Sequence, residues 1–391
     1  MATSPAPREP GPDAAPARLR SFLESRSIGA ALLSNPATIT WLTGYSAPIE
    51  SGPSPFEGGP ALAWVEDGAV TLIVSDAERA DAERAAGGHV ADYAGYTLEA
   101  PIDAVRHAAE ALAGVIARAR RGGGEVAIEL DTLPGTLLQA AERALGGVRL
   151  VAIDNELPVL RAVKSAVEIA RLRASLELCD IAHAAARGAI REGVTEIDLW
   201  NHVRTAVERA AGGRVPALVD VVAGSRAAEI GGPPTDRPIR AGDAVILDVV
   251  LRRDGYWGDT AATWFAGEPV AELRRAWATA RTALRQAVDA VRPGVEVREL
   301  DTIMRSATAT FGASGTYPHH SGHGLGTTYH DPPRIVPYAT GTLAPGMVIT
   351  LEPGIYLPGI GGVRLEDVVL VTDDGSELLS RHLVDGPEVI G

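Results

Sequence analysis

The sequence predicts an α+β protein of two domains, in which a smaller α/β domain precedes a larger domain built from two copies of a helix–helix–sheet unit. A chain of 391 residues exceeds the usual size of one hydrophobic core, so two domains are expected. The N-terminal part alternates helical and strand patterns. In the C-terminal part, the break 191-REGVTEIDL-199 returns as 292-RPGVEVREL-300, with Arg, Gly, Val and Leu at a constant offset of 101.

The first part of the chain is predicted to hold a leader and the α/β domain. Residues 1–16 are rich in proline and alanine, which predicts a disordered leader, and residues 17–158 form the predicted N-terminal domain. Its expected elements are an amphipathic helix from Arg18 to Ser27, a buried strand 30-AALLS-34, a turn at Asn35-Pro36, a hairpin over 61–75 turning at Asp67-Gly68, and a helix from Glu99 to Arg120.

The second part, residues 159–391, is predicted to contain two pairs of helices. Ser165 and Glu168 form the Ser-x-x-Glu capping box of a helix start, and Pro293-Gly294 separates the last two helices. The four helices are expected over about 165–193, 195–212, 269–291 and 295–311. A site at the junction of two such halves can draw ligands from both.

Composition excludes several classes of partner. The net charge is −14 and the basic residues form no long block, which argues against nucleic acid or an anionic membrane as the main partner. No apolar run of about 18 residues predicts a membrane span. The single cysteine, Cys179, lies in an alanine-rich helical pattern and is expected to be buried rather than nucleophilic. These features predict a cytoplasmic protein without intrachain disulfides.

Two acidic residues interrupt an apolar hairpin. In 244-AVILDVVLRRDGYWGDTAATWF-265, Asp254-Gly255 is a hairpin signal, and its arms place Asp248 and Asp259 nearly opposite each other. A buried carboxylate without a partner is costly. Taken alone, Asp248 is explained by a salt bridge to an arginine or by a backbone cap.

Further acids and a histidine-rich segment favour a metal site over a simple salt bridge. Glu352 ends an apolar strand, and 363-VRLEDVVLVTDDG-375 predicts a strand with Arg364 and Glu366 on one face. The segment 319-HHSGHGLGTTYHDPP-333 holds four of the nine histidines. Four carboxylates with an imidazole are best explained by two divalent cations, which would neutralise them. Such ligands suit Mn²⁺, Fe²⁺, Co²⁺ or Zn²⁺, and a pair of such ions supports hydrolysis.

These motifs resemble the pita-bread metallopeptidase family, M24, in its Xaa-Pro aminopeptidase, prolidase and creatinase branch. The resemblance covers about residues 160–385, and 41-WLTGYS-46 is similar to a segment of that branch's N-terminal domain. The matching motifs, in family order, are Asp248, Asp259 after Gly255-Tyr256, 322-GHGLG-326, 352-EPG-354 and 364-RLED-367. The resemblance implies a pita-bread catalytic domain behind a creatinase/prolidase-like N-terminal domain.

The resemblance also implies roles for individual residues. The implied ligands of two divalent ions, with Mn²⁺ as the first expectation and Co²⁺, Zn²⁺ or Fe²⁺ as alternatives, are Asp248, Asp259, His323, Glu352 and Glu366. Glu352 would also shuttle a proton for a water that bridges the ions. His330 would steady a tetrahedral intermediate, His319 would line the substrate pocket, and Arg364 would pair with a ligand carboxylate. A homodimer is implied, with the N-terminal domain walling the partner's cleft.

Three positions depart from the family pattern. Gly231 stands where the family has a histidine, Ala262 replaces an arginine, and Val250 replaces a glycine. The first two changes are expected to remove an imidazole and a guanidinium from the surroundings of the active site. The expected function is hydrolysis of a C–N amide bond in a small dipeptide-like substrate. The departures keep open a non-peptidase hydrolase or lyase acting on a small amide, amidine or onium compound, and an inactive binding module. Another residue, for instance from a neighbouring subunit, could also fill the gap at Gly231.

Several of the glycines and histidines also have interpretations that involve no catalytic role. The glycines of 322-GHGLG-326 could form a phosphate cradle, but no βαβ unit surrounds them. His319 and His330, apart from the resemblance, could be structural, and His320 is expected at the surface or the pocket rim. Histidines without a spacing partner, expected to be structural or solvated, are His89, His107, His183, His202 and His382.

Overall fold

The computed structural model describes residues 15–47, 54–86, 88–119, 124–312 and 316–390. The chain divides into two compact units, Met1–Arg161 and Ala162–Gly391. The predicted leader lies outside the described residues except for its last two positions, Ala15 and Pro16, which begin the first helix. Within the described ranges, no helix combines the length and the apolar character that crossing a membrane requires.

The N-terminal unit is a six-stranded mixed sheet covered by helices. Its strands are β1 (Ala30–Leu33), β2 (Leu62–Glu66), β3 (Ala69–Ser75), β4 (His89–Tyr93), β5 (Glu125–Ile128) and β6 (Arg149–Ala152). Its helices are α1 (Ala15–Ser25), α2 (Pro36–Thr43), α3 (Arg79–Ala86), α4 (Ala104–Arg118), α5 (Gly135–Leu145) and α6 (Glu156–Ala162). The strand order is β4-β3-β2-β1-β5-β6. Alternate residues of β1 join two different apolar clusters, so the sheet is buried on both faces.

The predicted hairpin and buried strand of this unit are confirmed, and two other expectations are corrected. Asp67 and Gly68 turn between β2 and β3 with φ of 50° and 77°. Asn35 is not part of an isolated turn: its side chain accepts a hydrogen bond from the Ala37 amide and caps α2, with proline at the first helical position. Helix α4 starts later than expected because Asp103 caps it.

The C-terminal unit contains the duplicated unit that the sequence predicts. Its helices are α7 (Ala166–Ala189), α8 (Glu196–Ala211), α9 (Ala271–Ala290) and α10 (Val297–Ala309). The Ser165–Glu168 capping box is present, and Thr195 caps α8. Helices α7 and α8 share one apolar core with the strands around residues 217–266, and α9 and α10 share another with the strands around residues 331–371. Each helix pair therefore covers its own sheet.

Three sheets complete this unit. Its strands are β7 (Ala217–Ala223), β8 (Asp243–Arg253), β9 (Tyr256–Ala266), β10 (Gly322–Gly324), β11 (Asp331–Ile335), β12 (Val348–Leu351), β13 (Gly354–Leu357), β14 (Gly361–Arg364), β15 (Asp367–Val371), β16 (Ser376–Leu378) and β17 (Val389–Ile390). The sheet orders are β17-β9-β8-β7, β11-β10-β12-β15-β16 and β13-β14. The single strand expected from residue 363 onward is wrong: the chain leaves the β13–β14 pair at Arg364 and joins β12 at Asp367.

Helix α7 approaches β9 closely at Gly258, and this contact gives a stability prediction. A Cβ at residue 258 would lie 2.8 Å from Cys179 Sγ and 3.1 Å from the Ser175 carbonyl oxygen. We expect Gly258→Ala to lower the free energy of unfolding by about 1–3 kcal/mol, because the backbone of α7 must move. Denaturant unfolding measures the change.

A second glycine provides the matched control. At Gly188, inside α7, an added Cβ meets nothing within 4 Å. Gly188→Ala is expected to raise the free energy of unfolding by roughly 0.5 kcal/mol through helix propensity. Equal effects of the two substitutions would contradict the close approach at Gly258.

Candidate metal centre

The β8–β9 hairpin places two acids on one face of a sheet. Asp254 and Gly255 form its turn with φ of 50° and 83°, as expected for a two-residue connection. The register pairs Val250 with Asp259 and Asp248 with Ala261, so the two acids are diagonal neighbours rather than directly opposite. Residues that pair across antiparallel strands share a face, and both carboxylates therefore enter the same space.

The remaining predicted ligands reach that space from the other half of the unit. His323 lies on β10, Glu352 follows β12, and Glu366 lies between β14 and β15, where its amide donates to the Ala261 carbonyl at 2.9 Å. All five line a cavity of about 460 Å³. Three overlapping groups have ligand atoms within 4.8 Å of one another: Asp248, Asp259 and Glu366; His320, His323 and Glu352; and Asp259, His323 and His330.

The orientation of His323 indicates a cation. Its Nδ1 lies 2.9 Å from the Gly324 carbonyl oxygen, and since a carbonyl only accepts, Nδ1 carries the proton. Burial lowers the pKa of His323 to about 4, so the ring is neutral. The Nε2 lone pair then faces Asp259 Oδ2 at 3.5 Å and Glu352 Oε1 at 3.7 Å. A cation placed among these three electron-rich atoms would satisfy all of them.

The carboxylates show the same deficit of positive charge. Oδ1 of Asp248 and Oε1 of Glu352 are buried without a hydrogen-bond partner. Burial, reinforced by neighbouring carboxylates, raises the pKa of Asp248 to about 6 and raises those of Asp259 and Glu366 strongly. Burial acts in the same direction on Glu352, but the three histidines around it bring its pKa down to about 2. Divalent ions would satisfy the free oxygens and remove the repulsion, so the residues present fit such ions.

Arg364 holds one of the acids in place. Its Nη2 donates to Asp248 Oδ2, while Nη1 donates to the Ile230 carbonyl at 2.7 Å and to Tyr356 Oη at 3.1 Å. The salt-bridge explanation of Asp248 thus accounts for one of its oxygens and leaves Oδ1 free. This pairing orients the carboxylate toward the cavity.

Three further histidines line the cavity. His319 is held by the His320 carbonyl at Nδ1, 2.7 Å away, and by Tyr356 Oη at Nε2, 2.8 Å away. The His330 ring lies 4.3 Å from that of His323. His320, expected at the surface or the rim, instead places Nδ1 3.0 Å from Glu352 Oε1, and neither atom has a hydrogen bond of good geometry. No spacing motif distinguishes His320 in the sequence.

The family departures differ in their consequences. Gly231 and Val250 border the cavity. Ala262 does not, because it lies on the opposite face of β9 and packs in the core under α7 and α8. The expectation that its replacement removes a guanidinium from the surroundings of the site is therefore wrong. Asp220, on β7 directly opposite Asp248, also lines the cavity and was not among the predicted residues.

Other candidates lie outside the cavity. Cys179 is buried, and burial raises the pKa of its thiol, so it is inert as a nucleophile. His183 stacks on His382 with ring centroids 4.1 Å apart and contacts Thr260, which is a structural role. The glycines around His323 belong to β10 and permit close approach of neighbouring backbone rather than forming a phosphate cradle.

The chain is similar to known proteins along most of its length. The family model of Metallopeptidase family M24 matches residues 170–373, and that of the Creatinase/Prolidase N-terminal domain matches residues 17–163. An uncharacterized peptidase from Staphylococcus aureus (strain USA300) is 33% identical over 230 residues, which are 59% of this chain and 66% of that relative, so the match spans just under two thirds of the relative's length.

Two proteins of known structure share the fold. A prolidase from Pyrococcus horikoshii OT3 superposes with a TM-score of 0.81 and 26% identity, covering 95% of this chain and 99% of that one. An Xaa-Pro dipeptidase from Bacillus anthracis superposes with a TM-score of 0.80 and 25% identity, covering 96% and 99%. The similarity therefore extends over both units.

Proposed function

Because the chain belongs to metallopeptidase family M24, we propose that it is a dinuclear metal-dependent hydrolase of the Xaa-Pro dipeptidase or aminopeptidase type. It cleaves the C–N amide bond of a short peptide. The observation that carries this proposal is the neutral His323 ring, whose Nε2 lone pair faces two buried carboxylates. The prolidase and dipeptidase named above support the substrate class.

Five side chains hold the two ions in this proposal. Asp248, Asp259 and Glu366 would hold ions on one side of the cavity, and His323 and Glu352, with Asp259 next to His323, would hold them on the other. When bound, the ions lower the pKa of water into a useful range and polarise the scissile carbonyl. Mn²⁺ is the first expectation, with Co²⁺, Zn²⁺ and Fe²⁺ as alternatives, since oxygen ligands with one imidazole suit these metals.

The chain's own residues position the substrate and move the proton. Oε1 of Glu352 faces the proposed ion beside His323, which leaves Oε2 as the oxygen that would accept the proton of the attacking water and pass it to the leaving amine. Partial burial lowers the pKa of His330 to about 4, and its neutral ring would donate to the carbonyl oxygen of the substrate under attack. Tyr356 and the His320 carbonyl fix His319, which contacts the substrate from the cavity wall.

The proposal includes a setting for the enzyme. We propose that it is cytoplasmic, because a protein with a single buried cysteine and no disulfide is typical of that reducing compartment. We also propose a homodimer, on the family resemblance. Sedimentation velocity tests this directly, and a monomer at micromolar concentration would contradict it.

A second function is favoured by a specific observation. Where the family has a histidine, this chain has Gly231, and the carboxylate of Asp220 lies beside it. A non-peptidase hydrolase or lyase on the same ions, acting on a small amide, amidine or onium compound, would use such an acid in place of an imidazole. An inactive binding module is disfavoured because all five ligand positions are retained.

Metal analysis combined with a peptide panel separates these functions. The protein is purified without chelator, its metals are quantified, and Xaa-Pro dipeptides, longer Xaa-Pro peptides and Xaa-Ala dipeptides are tested. We expect about two ions per chain and turnover confined to Xaa-Pro bonds. Bound metal without peptide turnover supports the non-peptidase enzyme, and failure to bind any of the four metals contradicts both enzymatic functions.

A further inference from the structure

The side chain missing at Gly231 is replaced in space by a carboxylate from the neighbouring strand. A Cβ built on Gly231 would clash with Oδ2 of Asp220, and the next atom it meets is Cγ of the same residue at 3.5 Å. The Gly232 amide donates to this Oδ2 at 3.0 Å. A residue with a side chain at 231 and Asp220 in its present position exclude each other.

The position of Asp220 is fixed by the sheet. Asp220 pairs directly with Asp248 across β7 and β8, so its side chain shares the face of the proposed ligands. On the same face, Leu218 pairs with Val250, and both border the cavity. One wall of the cavity thus combines a carboxylate with a short apolar patch.

The net charge of the residues that line the cavity determines which substrate groups this wall can bind. The acids that line the cavity are Asp220, Glu229, Asp248, Asp259, Glu352 and Glu366. Two divalent ions would cancel the four proposed ligands. Among the described lining residues, Arg364 carries the permanent positive charge, and its guanidinium already donates to Asp248, Tyr356 and the Ile230 carbonyl. With metal bound, the six carboxylates face the charge of two divalent ions and of one guanidinium, so the lining keeps one net negative charge. Asp220, half-buried on the face that carries the proposed ligands, lies closer to them than the exposed Glu229 and is the better placed of the two to hold that charge.

We propose that Asp220 is a specificity-determining residue that binds a positively charged group of the substrate, an ammonium or guanidinium, while Leu218 and Val250 pack against the carbon chain that carries it. This inference rests on the proposed function for the identity of the reaction. A charge-assisted hydrogen bond to a carboxylate favours such a group over a neutral isostere. The cation is either the α-ammonium group of the peptide or a basic side chain.

Paired substrates test the proposal and separate the two sources of charge. Lys-Pro is compared with norleucyl-Pro for a basic side chain, and Ala-Pro with propionyl-Pro for the α-ammonium group. In at least one of the two pairs, we expect Asp220→Asn to lower kcat/KM for the cationic substrate by at least about tenfold, mainly by raising KM. The value of kcat/KM for the neutral substrate of that pair should change little. Equal loss for both members of both pairs would overturn the proposal.

A matched acid controls for general electrostatics. Glu229 lines the same cavity but is exposed, and Glu229→Gln removes the same charge. If Glu229→Gln reproduces the loss of selectivity, the effect is the field of the cavity and not a contact with Asp220. Metal content, measured in both variants, is expected to equal that of the wild type.

Direct binding keeps this test separate from that of the proposed function. If no Xaa-Pro peptide is cleaved, the proposed function fails, yet titration of the metal-loaded protein with methylguanidinium and with ethylammonium still probes Asp220. We expect binding of at least one cation that Asp220→Asn weakens by at least about tenfold and Glu229→Gln does not. Absence of such a difference would reject the assignment of Asp220.

Discussion

Glu366→Ala is expected to abolish peptide turnover and to remove most of the bound metal. Glu366 is 2% exposed, and its carboxylate converges with those of Asp248 and Asp259. As one of the acids that would hold the ions, it weakens metal binding when it is lost. We expect kcat/KM to fall by at least about 10³-fold, because removal of a group that holds the ions removes the stabilisation that they supply. Steady-state kinetics and metal quantification measure both effects.

An exposed acid of the same unit provides the comparison. Glu268, whose side chain is 74% exposed and pairs with Arg274, lies outside the cavity, so Glu268→Ala should keep both activity and metal content. The two variants should have similar circular dichroism if Glu366→Ala leaves the fold intact. A folded Glu366→Ala variant with full turnover would eliminate the dinuclear mechanism.

The helices of the C-terminal unit could be predicted from the sequence because their signals are local. The capping box of Ser165, the cap at Thr195 and the glycine after α8 act within a few residues of each helix end. The missed helix α2 has an equally local signal, an asparagine cap followed by proline. With eight residues, α2 is too short for a helical pattern of apolar residues to distinguish it from a turn.

Strand partners could not be predicted in the same way. The break between β14 and β15 arises because Arg364 pairs with a residue of β13, whereas Asp367 pairs with a residue of β12. No local sequence pattern indicates this change of partner strand. The face of Ala262 is likewise decided by register with β8. The four acids can be singled out from the sequence because charged residues in apolar strands require an explanation wherever their partners lie. The complete set of five proposed ligands, with His323, is what the resemblance to the family implies.

The same argument could have found Asp220. It interrupts the apolar strand 217-ALVDVVA-223 as Asp248 interrupts 244-AVILDVV-250. The pairing of these two strands, which brings the acids together, is a long-range property that the sequence alone leaves open. Within the C-terminal unit, the carboxylate of Asp220 occupies the space beside Gly231.

We expect the carboxylate of Asp259 to stabilise the folded protein when metal is bound and to destabilise it when the metal is removed. With metal bound, each ion present at about 100 times its Kd adds about 2.7 kcal/mol to the free energy of unfolding, so a chelator should lower the unfolding temperature of the wild type. Asp259 is 4% exposed, and burial and the charge of Asp248 raise its pKa strongly, so its carboxylate is unfavourable without a cation.

Asp259→Asn should therefore stabilise the metal-free protein while it weakens metal binding. Asparagine has nearly the same shape and can donate to the neighbouring carboxylates, so we expect chelated Asp259→Asn to exceed chelated wild type by about 1–3 kcal/mol. Without chelator the order should be the opposite. Scanning calorimetry measures both states, and the shift caused by Gly258→Ala identifies the transition of the C-terminal unit. If Asp259→Asn is less stable than wild type in chelator as well, the acids do not repel one another in the empty site, and the electrostatic case for two cations fails.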